Sequence, residues 1–204
     1  MAHYFDSNPS TASNIRKIDF EIYDKHLTFY SDNGVFSKNS IDEGTRAFLK
    51  VLIPLQLNGN ILDLGCGYGV IGLTLAAFNP DINVTLADIN TRAITLCNIN
   101  IKSMNLSQRV ACLQGDIYSN IEGPYDSIVV NPPIRAGKKV TYRIYSEALQ
   151  HLHDGGSLYI VIRKNQGAIS ASNYIRELFN NCTLLKKDKG YYIYQAIKMT
   201  EKIN

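Results

Sequence analysis

The chain has 204 residues, 45% hydrophobic and 19% charged, a balance that suits one domain with a substantial buried core and excludes a disordered or low-complexity chain. No basic and apolar leader opens it and no apolar run reaches membrane-spanning length, so a soluble cytoplasmic protein is expected. The net charge of +3 hides an asymmetry: residues 1–130 carry nine Lys and Arg against thirteen Asp and Glu, residues 131–204 twelve against five. A basic second half points to a polyanionic partner, because Lys and Arg neutralise phosphates.

In chain order, residues 1–15 are polar and read as irregular. Lys17 to Asp24 and His26 to Ser31 alternate apolar and polar residues about Asp24-Lys25 and predict a β-hairpin; Gly34 to Ser37 reads as a further short strand. Asp42 to Ile53 predicts a helix capped by Ser40 or Asp42 and stopped before Pro54. From Asn60 the pattern is regular. Strands are expected at Ile61–Leu64, Val84–Ala87, Val110–Gln114, Ser127–Val130 and Ser157–Ile162, with helices at Val70–Phe78, Arg92–Met104, Tyr142–Leu152 and Ala168–Phe179. Thr183–Lys187 and Tyr191–Ile197, joined by Asp188-Lys189-Gly190, predict a closing hairpin. Strands alternating with helices predict an α/β fold: a doubly wound, mostly parallel sheet with helices on both faces and an antiparallel C-terminal hairpin.

The chemistry concentrates where apolar strands end. Asp63-Leu64-Gly65-Cys66-Gly67-Tyr68-Gly69 closes a buried strand with a tight glycine turn, the geometry that lets backbone approach a nucleotide-like ligand. Gly67 to Gly72 also fits a dinucleotide fingerprint, but Asp63 would repel a pyrophosphate. That argues against a nicotinamide oxidoreductase and favours a cofactor with positive charge, such as the ammonium and sulfonium of S-adenosyl-L-methionine. Asp88 ends the next strand where a carboxylate accepts from ribose hydroxyls, although it also suits the cap of the following helix. Asp116 ends a third and can accept from an adenine amino group, with Ile89 and Ile117 covering the ring; a simple turn residue is the plainer reading.

Asn131-Pro132-Pro133-Ile134 ends a fourth strand. An Asn131 side-chain oxygen and the Pro132 carbonyl can accept the two N–H bonds of a planar amino group and orient its nitrogen for in-line methyl transfer. Pro132 and Pro133 stiffen the backbone there. Ile134 can press on a flat base but offers no π-stacking, which leaves Phe36 or Tyr142 to supply an aromatic surface. Arg135, Lys138, Lys139 and Arg143 surround Ala136-Gly137 and read as a mobile basic loop suited to RNA phosphates, extended by Arg163 and Lys164. His151 and His153 lack a third ligand in sequence, so no metal is expected. Cys66, Cys97, Cys112 and Cys182 lack metal-type spacing and read as buried reduced thiols; Tyr191, Tyr192 and Tyr194 read as sheet-face residues.

Taken together, Asp63 to Gly69, Asp88, Gly115-Asp116 and Asn131 to Ile134 resemble class I S-adenosylmethionine-dependent methyltransferases. His3-Tyr4-Phe5, Gly34 to Ser37 and Asp126 to Lys138 narrow the resemblance to the catalytic half of the ribosomal RNA small-subunit methyltransferase C family. The resemblance implies a seven-stranded Rossmann-like sheet in a single methyltransferase domain over residues 1–204, with 1–40 as an N-terminal β-hairpin extension and 41–204 as the catalytic core. It implies S-adenosyl-L-methionine held by Asp63, Gly65, Cys66, Gly67, Gly69, Asp88, Ile89, Asp116, Ile117 and Asn131. Asn131, Pro132 and Pro133 would be catalytic, with Ile134 and the four cations on the substrate. The implied acceptor is guanine N2 of small-subunit ribosomal RNA. A glutamine amide or an adenine amino group offers similar NH₂ geometry, and a non-catalytic RNA-binding module is the reading from another class. The larger relatives add a second, degenerate half, and a homodimer would be one way of supplying its contribution.

Overall fold

The computed structural model describes residues 11–200, so His3, Tyr4 and Phe5 lie outside the described residues. A hairpin opens the fold: β1 (Arg16–Ile22) pairs antiparallel with β2 (Lys25–Ser31) as a separate two-stranded sheet. Its turn is Tyr23-Asp24, one residue earlier than expected, because Ile22 registers with Lys25 and Tyr23 takes positive φ. Gly34 to Ser37 forms turns, not a strand. Helix α1 (Glu43–Leu52) follows, with Asp42 as N-cap accepting from the Thr45 amide at 3.0 Å, and Pro54 falls in a 3₁₀ turn.

The core alternates strand and helix: β3 (Asn60–Leu64), α2 (Val70–Phe78), β4 (Asn83–Asp88), α3 (Thr91–Ser103), β5 (Val110–Gln114), β6 (Tyr125–Val130), α4 (Lys138–Ala148), β7 (Leu152–Arg163), α5 (Ala168–Phe179), β8 (Thr183–Asp188) and β9 (Tyr191–Ile197). The seven strands run in the order β5-β4-β3-β6-β7-β9-β8. All pairs are parallel except those made by β9, which runs antiparallel to both neighbours. The crossover from β5 to β6 puts a topological switch between β4-β3 and β6, with β3 and β6 adjacent and their C-terminal ends side by side, where an open α/β sheet leaves a crevice.

Period-two alternation sorts the strand side chains to two layers. Ile61, Val84, Leu86, Val129, Tyr159, Val161 and Ile193 face a core shared with α1, α2, α3 and the hairpin. Leu62, Leu64, Ile128, Val130, Leu158, Ile160 and Ile162 face α4 and α5. The hairpin is bound into the first layer by buried Phe20 and Phe29, whose ring centroids lie 6.3 Å apart.

Helix α4 departs most from expectation. It begins at Lys138 rather than Tyr142 and ends at Ala148, and Ile134–Ala136 is a 3₁₀ turn. The basic segment is therefore folded, not a mobile loop. Two lysines in a first turn oppose the helix dipole, which hides the start from the sequence pattern; Thr141 burial and its amide bond to the Gly137 carbonyl at 3.3 Å secure that turn. Strand β7 correspondingly starts at Leu152 rather than Ser157 and runs through Gly155-Gly156, because Gly155 and Lys198 continue the pairing beyond β9.

One buried polar side chain ties the hairpin to the core. Asn100 on α3 accepts from the Tyr30 amide at 2.6 Å and donates to the carbonyls of Tyr30 (3.0 Å) and Tyr68 (2.9 Å). Replacing it with Leu orphans three backbone groups, and Asn100→Leu should lose about 2–3 kcal/mol in urea unfolding. Asn98→Leu, on the exposed side of the same helix, serves as the near-neutral comparison. Equal stability of the two variants would assign the hairpin's attachment to apolar packing alone.

Candidate active site

A cavity of about 330 Å³ opens at the C-terminal ends of β3, β4, β5 and β6. The turn after β3 forms its floor. Gly65 and Gly67 have φ of +71° and +57°, and a Cβ on either would project into open space rather than against protein. Only glycine takes this conformation without strain, and it bares backbone to whatever enters. Carbonyl and carboxylate partners fix the turn. The amides of Gly65 and Cys66 donate to the Ala87 carbonyl at 2.8 and 3.0 Å, and Gly67 donates to Asp88 Oδ2 at 2.8 Å.

Asp88, at the end of β4, lines the cavity. Its Oδ1 accepts from the Asn90 amide at 2.9 Å. Burial raises its carboxyl above the usual range, against the lowering effect of these amide bonds. The helix cap that sequence offered to Asp88 belongs to Asn90, whose side chain accepts from Arg92 and Ala93. Ile89 and Ile117 both line the cavity. Ile117 does so at φ +55°, a costly backbone state for a β-branched residue and a mark of a constrained site.

Asp63 departs from the expected direct role. It is 1% exposed and is not among the cavity's lining residues. Its Oδ2 accepts from the Gly72 amide at 2.8 Å, pinning the first turn of α2, while Oδ1 is buried without a hydrogen-bond partner among the described residues. Desolvation drives its pKa up to about 7. Cys66 lines the cavity with its Sγ 3.7 Å from Cys97 Sγ, and burial pushes its thiol up as well. Cys66 and Cys97 are buried, whereas Cys112 and Cys182 are only partly so.

Asn131 stands where this cavity meets a second. The two share Val35, Phe36, Ser37, Asp42, Asn131 and Pro132, and Ile134, Arg135, Arg163, Gln166 and Tyr191 extend the second. Asn131 Nδ2 donates to Thr45 Oγ1 at 3.2 Å, which turns its amide oxygen into the available acceptor. The Pro132 carbonyl already accepts from the Ile134 amide at 2.9 Å, so one lone pair remains for a further donor.

Tyr142 stacks on Tyr174 with centroids 4.2 Å apart and carries Lys138 over its ring at 4.8 Å, so it is committed to the helix layer. Phe36 is 44% exposed on the wall common to both cavities. Sequence alone offered Phe36 but not Ile41, Asp42 or Thr45 for this wall, because tertiary packing decides which loop and helix-start side chains face a cavity.

Among the expected substrate cations, Arg135, Lys138 and Lys139 are exposed beside the second cavity or at the start of α4. Arg143 instead bridges Asp116 (3.4 Å) and Glu147 (2.9 Å), joining a cavity-lining acid to the helix. His151 stacks on Tyr118 with centroids 4.3 Å apart.

The Asp63 environment has a consequence for stability. A carboxyl whose folded pKa lies near 7 binds its proton more tightly in the folded state, so its contribution is complete below the unfolded value of about 4 and is lost as pH rises through 7. Wild-type stability relative to Asp63→Asn should therefore fall between pH 4 and 7, at most by roughly 1.4 kcal/mol per pH unit. Chemical unfolding of both proteins across that range measures the difference; a rising difference would mean that Asp63 is charged in the folded state.

The methyltransferase small domain model matches residues 26–195. YbxB of Bacillus subtilis, described as an uncharacterized protein, is 42% identical over 199 residues, covering 97% of this chain and 98% of that protein. The ribosomal RNA small subunit methyltransferase C of Vibrio parahaemolyticus is 37% identical over 179 residues, 86% of this chain, and the chain spans about half the length (50%) of that relative. Among solved structures, a T. thermophilus 16S rRNA N2 methyltransferase (RsmC) in complex with AdoMet and guanosine superimposes with a TM-score of 0.82 at 24% identity, over 93% of this chain and 52% of that one. The match of a single family model over residues 26–195, which include the glycine turn and the Asn-Pro-Pro segment, makes this chain a member of the methyltransferase small domain family.

Proposed function

We propose that the protein transfers a methyl group from S-adenosyl-L-methionine to an exocyclic amino group, the guanine N2 of small-subunit ribosomal RNA. One observation carries the chemistry. Asn131 stands at the junction of two cavities with its amide nitrogen engaged by Thr45, which turns the oxygen into the acceptor.

The first cavity fits the cofactor. Gly65 and Gly67 leave a cradle that any side chain would fill, and Asp88 can accept from ribose hydroxyls with lone pairs not used by Gly67 and Asn90. Ile89 and Ile117 offer apolar cover for adenine, and Asp116 an acceptor for its amino group. Asp63 acts from behind the glycine turn, where its Oδ2 holds the Gly72 amide and with it the first turn of α2. When bound, S-adenosyl-L-methionine supplies an electrophilic methyl on a sulfonium.

The residues' own part is orientation. The Asn131 oxygen and the remaining lone pair of the Pro132 carbonyl accept the two N–H bonds of the acceptor, turning its nitrogen lone pair out of conjugation. Pro132 and Pro133 hold both acceptors rigid. Little proton transfer is needed before methylation, since the amine loses its proton afterwards. Phe36 and Ile134 flank the space for the base.

The substrate reading rests on relatives named ribosomal RNA small subunit methyltransferase C and on charge. Lys138 and Lys139 in the first turn of α4 are locally unfavourable, and a polyanion resolves that conflict. A base stacked in a helix cannot present its amino group in line with the methyl, so the target is extruded or single-stranded.

Two variants separate the cofactor from the acceptor. Asp88→Ala should weaken cofactor affinity by roughly 1.5–3 kcal/mol in calorimetry. Asn131→Ala should lower turnover on small ribosomal subunits by roughly a hundredfold with cofactor affinity nearly intact. Equal losses of binding and turnover in the second variant would make Asn131 a cofactor residue first. Charge reversal at Lys138 and Lys139 should weaken RNA binding and flatten its log–log salt dependence by roughly 0.7–0.9 for each phosphate no longer neutralised. Superimposable salt series for wild type and the doubly reversed protein would mean that these lysines are only solvated.

A further inference from the structure

We infer that Thr45 is a positioning residue of the reaction centre: its hydroxyl holds the Asn131 carboxamide in the one orientation that aims the amide oxygen at the acceptor. The inference rests on the proposed role of Asn131 and extends it to a helix 86 positions away in sequence.

An Asn side chain is symmetric in shape but not in chemistry. Rotated by half a turn about its last torsion, it presents two donors where the acceptor amine also presents donors, and the contact becomes repulsive. Asn131 therefore needs a partner on its nitrogen. Thr45 Oγ1 lies 3.2 Å from Nδ2 and accepts from it, with the hydroxyl's own proton directed away from Asn131. Thr45 is buried, lines the first cavity beside Asn131, and its hydroxyl offers a lone pair to that nitrogen. A Val at the same position would have the same shape and nothing to accept with.

Thr45 is itself held firmly. Its amide donates to Asp42 Oδ1 at 3.0 Å, the N-cap bond that starts α1. Gly44 permits the approach of β9: a Cβ there would lie 2.7 Å from Tyr191 Cε1. Lys189 pairs with Glu43 at 2.9 Å across the same contact. The start of α1 is thus fastened to the sheet at the end where β6 delivers Asn131. The run Asp42-Glu43-Gly44-Thr45 works as one unit: cap, pairing acid, close-approach glycine and hydroxyl. A helix in which threonine served packing alone would not need its oxygen turned toward the cavity.

The test uses the full chain, S-adenosyl-L-methionine carrying a tritiated methyl, and small ribosomal subunits from cells lacking the protein. Thr45→Val should lower kcat tenfold or more while KM for subunits and cofactor affinity stay within about twofold; Thr45→Ser should restore kcat. In the Asn131→Ala background, Thr45→Val should cost nothing further, because its only route to the reaction is through Asn131. Independently of any substrate, the Asn131 side-chain NH₂ resonances, identified by their loss in Asn131→Ala, should move in Thr45→Val and stay in Thr45→Ser. Wild-type turnover in Thr45→Val beside an inactive Asn131→Ala overturns the inference and leaves the proposed function standing. If wild type methylates no subunits, the acceptor assignment fails instead, and the NH₂ resonances decide alone: moved, Thr45 orients Asn131; unmoved in Thr45→Val, it does not.

Discussion

Gly67 and Gly72 donate their backbone amides to the carboxylates of Asp88 and Asp63, each at 2.8 Å, and the site is built on those two bonds. They link the turn after β3 to the end of β4 and to the first residues of α2. Neither carboxylate is well solvated, and burial raises both pKa values. In a low-dielectric setting a buried carboxyl oxygen that loses its amide partner is left unpaired, so loosening the turn is costly. The glycine turn can therefore expose its backbone to a ligand without becoming mobile.

A similar dependence on a few connections recurs around Asn131. The switch in strand order brings the ends of β3 and β6 side by side, so the glycine turn and the Asn-Pro-Pro segment share one crevice although they lie far apart in the chain. Helix α1 and the loop before it close that crevice from above, giving Phe36, Asp42 and Thr45 to both cavities or to their boundary. The N-terminal hairpin serves the site at one remove. Asn100 joins Tyr30 of the hairpin to the Tyr68 carbonyl of the glycine turn, so the hairpin's packing and the turn's conformation are coupled through one side chain.

The basic flank breaks a local rule. Lysines at an α-helix N-terminus oppose its dipole, and Lys138 and Lys139 sit there with no acidic residue in the first turn. Lys138 is steadied over Tyr142, which in turn stacks on Tyr174 of α5. Lys138 and Lys139 are thus carried by a helix rather than by a loop. Arg143 differs from them: its pairing with Asp116 and Glu147 makes it a strut between the end of β5 and α4.

The sequence by itself determined the layer architecture and the four polar strand ends. Hydrophobic periodicity and glycine spacing are short-range signals, and Val70–Phe78, Val110–Gln114, Ala168–Phe179 and Tyr191–Ile197 carry them without interference. Asp63, Gly67, Asp88 and Asn131 were legible because each interrupts or ends an apolar run. Only the tertiary structure decided what those residues touch. Thr45 is an ordinary helix residue until β6 brings Asn131 to it, and only packing shows that Tyr142 stacks on Tyr174 while Phe36 lines both cavities. Asp63 looked like a direct ligand group because its charge can be read from the chain; that it stands behind the cavity wall depends on the depth of β3 in the sheet. The start of α4 was hidden for the opposite reason, since the contacts that secure it act against the local charge pattern. Periodicity records which face a residue turns to the core, whereas hydrogen-bond partners are fixed by packing between segments distant in sequence.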